Sequence, residues 1–355
     1  MLSAVVKQEI RHFFLAPKLP DPLTQKLFCF PQTLDPMKHR PWLAAAAAAL
    51  LIPTAAPAAS IAWVSDLLPV GSGTSDNDGG ADGIFGPGAG PYPDQGIVNL
   101  LTGAGHSVTR FNPSGSQPLS AANVAALNAF DLVIIGRSIG SGAFDSAAEA
   151  LEWNTSITKP LMSTNTYMSR ASRLGWFVGS TQPDQVSNVL TFTNPGDAVS
   201  SYIIGGTALN GSTMVNSYTE AIVYPDSAVD TRGISTITDA PVAGATTIAT
   251  GPVGAATGQF IVSLPAGLTL TPGSGPGNNQ VLGGYRMMFL VGNRESATAP
   301  NTVIGNAGFE NLTAEGEGMF LRAVTVAANG GVIPEPASTT LLLLAGASLI
   351  LRRRA

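Results

Sequence analysis

Cysteine, histidine and charge are all scarce in this chain of 355 residues, which holds one Cys, three His and only 12% charged residues. A single cysteine excludes an internal disulfide framework and a thiolate metal cluster. Basic residues number 18 against 23 acidic ones, which excludes a basic nucleic-acid binder, and the 45% hydrophobic content excludes a disordered polyelectrolyte. The apolar run from Thr339 to Leu351 is shorter than the ~20 residues of a comfortable membrane span, and the apolar stretch from Trp42 to Ile52 is short as well. What is abundant is Gly, at 40, and Pro, at 26, so long loops are expected between the elements of a large core. No cofactor and no metal site is expected from this inventory.

The two ends carry addresses. Met37-Lys38-His39-Arg40, the apolar stretch Trp42 to Ile52 and Ala56-Pro57-Ala58 form the charged, greasy and small-residue parts of a secretory signal peptide. The signal occupies 37–58, so residues 1–36 read as an extension or an upstream start, with Met37 as the working initiator. At the other end Pro334-Glu335-Pro336 precedes an apolar helix from Leu341 to Leu351, and Arg352-Arg353-Arg354 follow. The arginines stay on the cytoplasmic side, which puts the preceding chain outside. The alternative is an ordinary C-terminal membrane tail. This order of motif, helix and cluster over 334–355 resembles the PEP-CTERM sorting signal. The resemblance implies processing by the membrane protease exosortase near the motif, after export by the Sec machinery and signal peptidase. It further implies an exopolysaccharide-producing setting, with the protein transiently anchored in the inner membrane and then at the envelope, outer surface or extracellular.

Between the signals lies a body from about Ala59 to Val332 with nine basic and 19 acidic residues, a net charge of −10, and no cysteine, because Cys29 precedes it. Such a charge repels nucleic acid. Ile61 to Ser65 reads as a strand ending at Asp66. Asp94 caps a helix with Ile97, Leu100, Leu101 and Ala104 on one stripe, closed by Gly105. Val108 to Phe111 is a second strand, Ser120 caps a helix with Val124 and Leu127, and Leu132-Val133-Ile134-Ile135 is a doubly buried third strand. A helix from Ser146 to Ile157 leads to a fourth strand at Pro160-Leu161-Met162. This alternation predicts an α/β fold with a mostly parallel sheet and flanking helices. The second half is β-rich and loop-rich, with strands at Ala221 to Tyr224, Thr246 to Ala249, Gln259 to Leu264 and Tyr285 to Val291. Thr313 opens a last helix carrying Phe320, Ala323, Val324 and Ala327, and 330–333 form a linker to the tail.

Ile61 to Asp66, the Gly103 to Val108 turn, Asp131 to Ser138 and the Asn311 to Gly316 helix start resemble pieces of the class I glutamine amidotransferase-like fold, which is flavodoxin-like; the domain would cover 59–329. The catalytic cysteine of that family is missing, since Leu161-Met162 runs into Ser163-Thr164-Asn165-Thr166-Tyr167, and the one histidine of the body, His106, sits before the second strand. Ligands in such sheets bind beyond the carboxyl ends of the strands. The candidate binding residues are therefore Asp66, Arg137, Ser138, Ser141, Asn165, Tyr167, Arg170 and Arg173, whose arginines suit a carboxylate, phosphate or acidic sugar. The competing role for Arg170 and Arg173 is to fix loops by pairing with Asp66 or with backbone carbonyls. Trp176 either lines a sugar shelf or packs in the core. Asp76-Asn77-Asp78-Gly79-Gly80 lacks the ligand spacing of a calcium loop. Two functions remain open: a non-catalytic surface or matrix protein of exopolysaccharide or envelope assembly, and a carbohydrate-active enzyme or sugar-binding protein using the strand-end residues. A third, a matrix former with no specific ligand, predicts no built site.

Overall fold

Alternating apolar strands and amphipathic helices assemble, in a computed structural model of the chain, into one large mixed sheet with helices against it. The structure describes residues 58–65, 92, 94–111, 118–185, 189–214, 217, 233–294 and 307–334. The signal-peptide core, Asp66, the 71–90 loop, the 221–224 strand, Glu335, Pro336 and the final arginines lie outside them.

In chain order the elements are β1 (Ser60–Val64), α1 (Gln95–Gly103), β2 (Ser107–Phe111), α2 (Ala121–Leu127), β3 (Leu132–Ile135), α3 (Ala147–Leu151) and β4 (Leu161–Ser163). There follow α4 (Thr166–Ser169), β5 (Asp184–Gln185), β6 (Leu190–Phe192), α5 (Ala198–Ile204), β7 (Thr213–Met214), β8 (Ile234–Ser235), β9 (Thr246–Val253), β10 (Ala256–Leu264), β11 (Arg286–Phe289) and α6 (Ala314–Ala328). The large sheet has the order β2-β1-β3-β4-β11-β10-β9-β6-β7, and β5 pairs with β8 apart from it. From β2 to β11 every pairing is parallel. From β11 onward every pairing is antiparallel. The expected parallel sheet thus covers one half, and the strands of the second half extend it as an antiparallel meander rather than forming a separate layer.

All four residues of β3 are buried, as a strand covered on both faces requires. The last helix meets its expectation closely: Thr313 accepts the Gly316 N–H at its start, Glu315 and Glu317 occupy the first turn, and Phe320, Ala323, Val324 and Ala327 are buried. Phe320 meets Phe289 of β11 edge to face at 5.3 Å. Burying each ring contributes roughly 2–3 kcal/mol, and the edge contact on the order of 1 more.

Three local expectations are corrected. Ala104 is exposed, so the stripe of α1 is Ile97, Val98 and Leu101, with Leu100 at its margin. Asp94 stands at the N-cap of α1 but makes no cap bond there; its carboxylate turns inward, where it accepts the Trp63 indole N–H at 2.6 Å and pairs with Arg110 at 2.8 Å. A buried indole donor and a guanidinium outcompete the first-turn amides for that anion. The helix expected from Ser146 to Ile157 keeps its capping box of Ser146 and Glu149 but widens into a π turn over Glu152–Ser156.

That π turn is held from beneath. Arg286, fully buried at the start of β11, donates to the carbonyl oxygens of Trp153, Asn154, Ile157, Lys159 and Tyr285 at 2.6 to 3.1 Å. The Trp153, Asn154 and Ile157 oxygens belong to the C-terminal turn of that helix, where a cation is what the dipole favours; those of Asn154 and Tyr285 also accept the Gly283 and Leu161 N–H groups. Gly283 lets the chain pass under the turn, because a Cβ at that position would stand 2.1 Å from the Thr155 oxygen.

Candidate functional site

The strand-end segments that follow β3, β4 and β11 converge. After β3 the chain runs through Gly136, Arg137 and Ser138; after β4 it enters α4 through Asn165, whose side chain caps that helix by accepting the Tyr167 N–H at 2.9 Å. The other end of the same amide donates to the Arg137 carbonyl at 3.1 Å, so one residue ties the two segments. Ser138 Oγ donates to the Ala307 carbonyl, and Gly308 supports this closure with a φ of 95°. A Cβ on Gly308 would meet Ser138 Oγ at 2.3 Å.

Tyr167 is the centre of what these loops build. The guanidinium carbons of Arg137, Arg294 and Arg170 stand 4.9, 5.5 and 5.6 Å from its ring centroid. Arg294 is salt-bridged to Asp184 of β5 at 2.6 Å. Ser235 of β8 lies 3.4 Å from the Tyr167 hydroxyl and 3.3 Å from Asp184 Oδ1. Arg170 donates to Gln182 Oε1 at 3.0 Å and Ser141 Oγ at 3.3 Å, both neutral. Its Nε and the Gln182 Nε2 are buried donors without a hydrogen-bond acceptor among the described residues. Burial, and then the charge of Arg173, pull the Arg170 pKa below its ordinary value. Three guanidiniums thus gather around one tyrosine ring in a body whose net charge is acidic.

The expected residues fall into three groups. Arg137, Asn165, Tyr167 and Arg170 are brought together, with Ser141 as a partner of Arg170. Ser138 is buried and spends its hydroxyl on Ala307, and Arg173 donates to the carbonyls of Ser141 and Ser172 at 2.6 Å each, so both act as loop fasteners. Asp66, Glu335, Pro336, Arg352, Arg353 and Arg354 lie outside the described residues, and Pro334 ends them. Trp176 is a core residue, fully buried with its indole N–H on Asn154 at 3.0 Å. Gln182, Asp184, Ser235 and Arg294 were not anticipated. Arg294 lies just past a strand that the sequence does suggest, and only the long-range pairing of β11 with β4 reveals that its loop neighbours Asn165.

Chemically, the cluster can grip an anion through forked donors. Ser163 Oγ is fully buried and donates to the Asn165 carbonyl at 2.9 Å, which leaves it no role as a nucleophile. His106 lies at the opposite end of the sheet, one residue before β2, where its Nδ1 accepts the Ala59 N–H at 3.1 Å. Burial lowers its pKa from 6.5. The unfolded chain then binds the proton more readily than the native one. The stability this histidine supports is complete above pH 6.5 and is lost as the pH falls toward its native pKa. In His106→Gln, urea midpoints measured at pH 7 and pH 5 should differ less than in the wild type; an unchanged difference would clear His106 of that role. Among the described residues no group of three or more His, Cys, Asp or Glu could hold a metal, and no helix is long and apolar enough to cross a membrane.

No family model matches the chain, and no curated protein is significantly similar to it in sequence. Among solved structures, a cytoplasmic protein from Salmonella typhimurium aligns over 76% of this chain and 98% of its own, at 10% identity and a TM-score of 0.37. A likeness at that level carries no argument about fold or function.

Proposed function

We propose that this is an exported surface or extracellular-matrix protein, delivered by its signal peptide and a PEP-CTERM-like tail, whose body binds an anionic component of the exopolysaccharide without transforming it. The observation that carries the reading is the ring of Arg137, Arg170 and Arg294 around Tyr167. It sits beyond the carboxyl ends of β3, β4 and β11, the side of an open parallel sheet where ligands bind. The order β2-β1-β3-β4-β11 is also the order of a flavodoxin-like sheet, in keeping with the amidotransferase-like resemblance. Catalysis by a sugar-processing enzyme would ask a carboxylate to exchange protons with the ligand. In the ligand-free chain Asp184 is held by Arg294, and the fully buried Ser163 hydroxyl donates to a backbone carbonyl and offers no nucleophile, so the reading is of binding rather than turnover.

Delivery is tested by mass spectrometry of the protein recovered from cell envelope and medium. The expected polypeptide starts near Ala59 and ends near Pro334, with Sec, signal peptidase and exosortase as the partners that made it. Recovery of the uncut chain in the cytosol, with residues 1–36 present, would contradict the reading.

A further inference from the structure

The cluster around Tyr167 already contains one anion of its own. Asp184 Oδ1 accepts from Arg294 Nη1 at 2.6 Å and from Ser235 Oγ at 3.3 Å. Asp184 and Ser235 face each other in register across the β5–β8 pair, so a two-stranded ribbon carries this carboxylate and this hydroxyl together to the ring of Tyr167. The Arg294 and Asp184 side chains keep 19% and 29% of their surface exposed, so a solute can reach the pair. By contrast, Arg170 has only neutral acceptors among the described residues. The Arg294 guanidinium is thus met from within by a planar carboxylate that also accepts from one neighbouring hydroxyl.

A carboxylate with hydroxyls beside it is the chemical signature of a uronic acid residue. We infer that Asp184 holds the place of a ligand carboxylate on Arg294, and that the site takes a uronate-type sugar which displaces it. This rests on the anion-binding reading above and names its ligand class and its built-in competitor. Arg170, which meets no carboxylate among the described residues, makes the first contact. The incoming carboxylate then exchanges with Asp184 on Arg294, while Ser235 and the Tyr167 hydroxyl serve the sugar hydroxyls. A guanidinium suits carboxylate and phosphate alike; the ground for choosing a uronate is that the anion already seated on Arg294 is a carboxylate with a hydroxyl bonded to it.

The test is calorimetric titration of the purified chain with polygalacturonate, with monomeric galacturonate and inorganic phosphate as small probes and dextran as the neutral polymer. Asp184→Asn keeps the shape and the Ser235 bond but gives up the charge, so it should bind polygalacturonate roughly two- to fivefold more tightly than the wild type, the scale of a lost competing ion pair. Asp184→Ser should show the same gain, and adding Arg294→Gln should abolish it. Thermal unfolding with and without polygalacturonate reports whether each variant is folded. Equal or weaker binding by both folded Asp184 variants, against a wild type that does bind, overturns the displacement while leaving anion binding intact. Phosphate binding as tight as galacturonate overturns the choice of ligand class. If the wild type binds none of the three anions, the reading beneath the inference falls.

Discussion

Replacing Arg286 by alanine is expected to lower folding stability by about 3–4 kcal/mol, because the Trp153, Ile157 and Lys159 carbonyls lose this donor at once while those of Asn154 and Tyr285 keep the Gly283 and Leu161 N–H groups, and each unsatisfied one costs about 1–3 kcal/mol before relaxation. The side chain is fully buried and serves five backbone oxygens. Burial pulls its pKa down to about 9, yet that value leaves the guanidinium charged at neutral pH. Arg286→Lys should recover only part of the loss, since one ammonium cannot reach acceptors spread from Trp153 to Lys159. Urea unfolding followed by circular dichroism measures both. A midpoint for Arg286→Ala within error of the wild type would mean that the π turn does not depend on this cation.

The second large effect concerns binding. Arg170→Gln is expected to weaken binding of polygalacturonate by roughly 10- to 100-fold, the range of a charge-assisted hydrogen bond lost to a neutral one. The fold should be indifferent to the change. Arg170 is half-buried, its side-chain bonds go to the neutral Gln182 and Ser141, and its charge is opposed by Arg173, so its removal relieves repulsion as well as losing contacts. Equal binding by the variant and the wild type would remove Arg170 from the site.

The first half of the fold was legible because its information is local. Four-residue apolar strands such as Leu132–Ile135 and capped helices such as that opened by Ser120 announce themselves at short range, and Ser120 does accept the Asn123 N–H. That Arg137, Asn165, Tyr167 and Arg170 come together was readable for the same reason: each follows a recognisable strand, and the ends of neighbouring parallel strands lie side by side. The rest depended on contacts far apart in sequence. Arg286 lies opposite Leu161 in the sheet, and nothing near either residue announces that pairing. Without it Arg294 cannot be placed beside Asn165, and the two-residue strands that carry Asp184 and Ser235 are too short to show a period. Asp94 misled in a different way. Its position before α1 was right, but a side-chain anion is claimed by the strongest donors within reach, and those belong to Trp63 and Arg110 rather than to its own helix.

The arginine ring around Tyr167 is most directly tested by titrating polygalacturonate into the wild-type chain at a series of salt concentrations. If the site grips carboxylates by charge within an otherwise acidic surface, affinity should fall steeply as salt rises, while dextran shows no binding at any concentration. Binding of polygalacturonate that ignores salt, or that dextran matches, would contradict it.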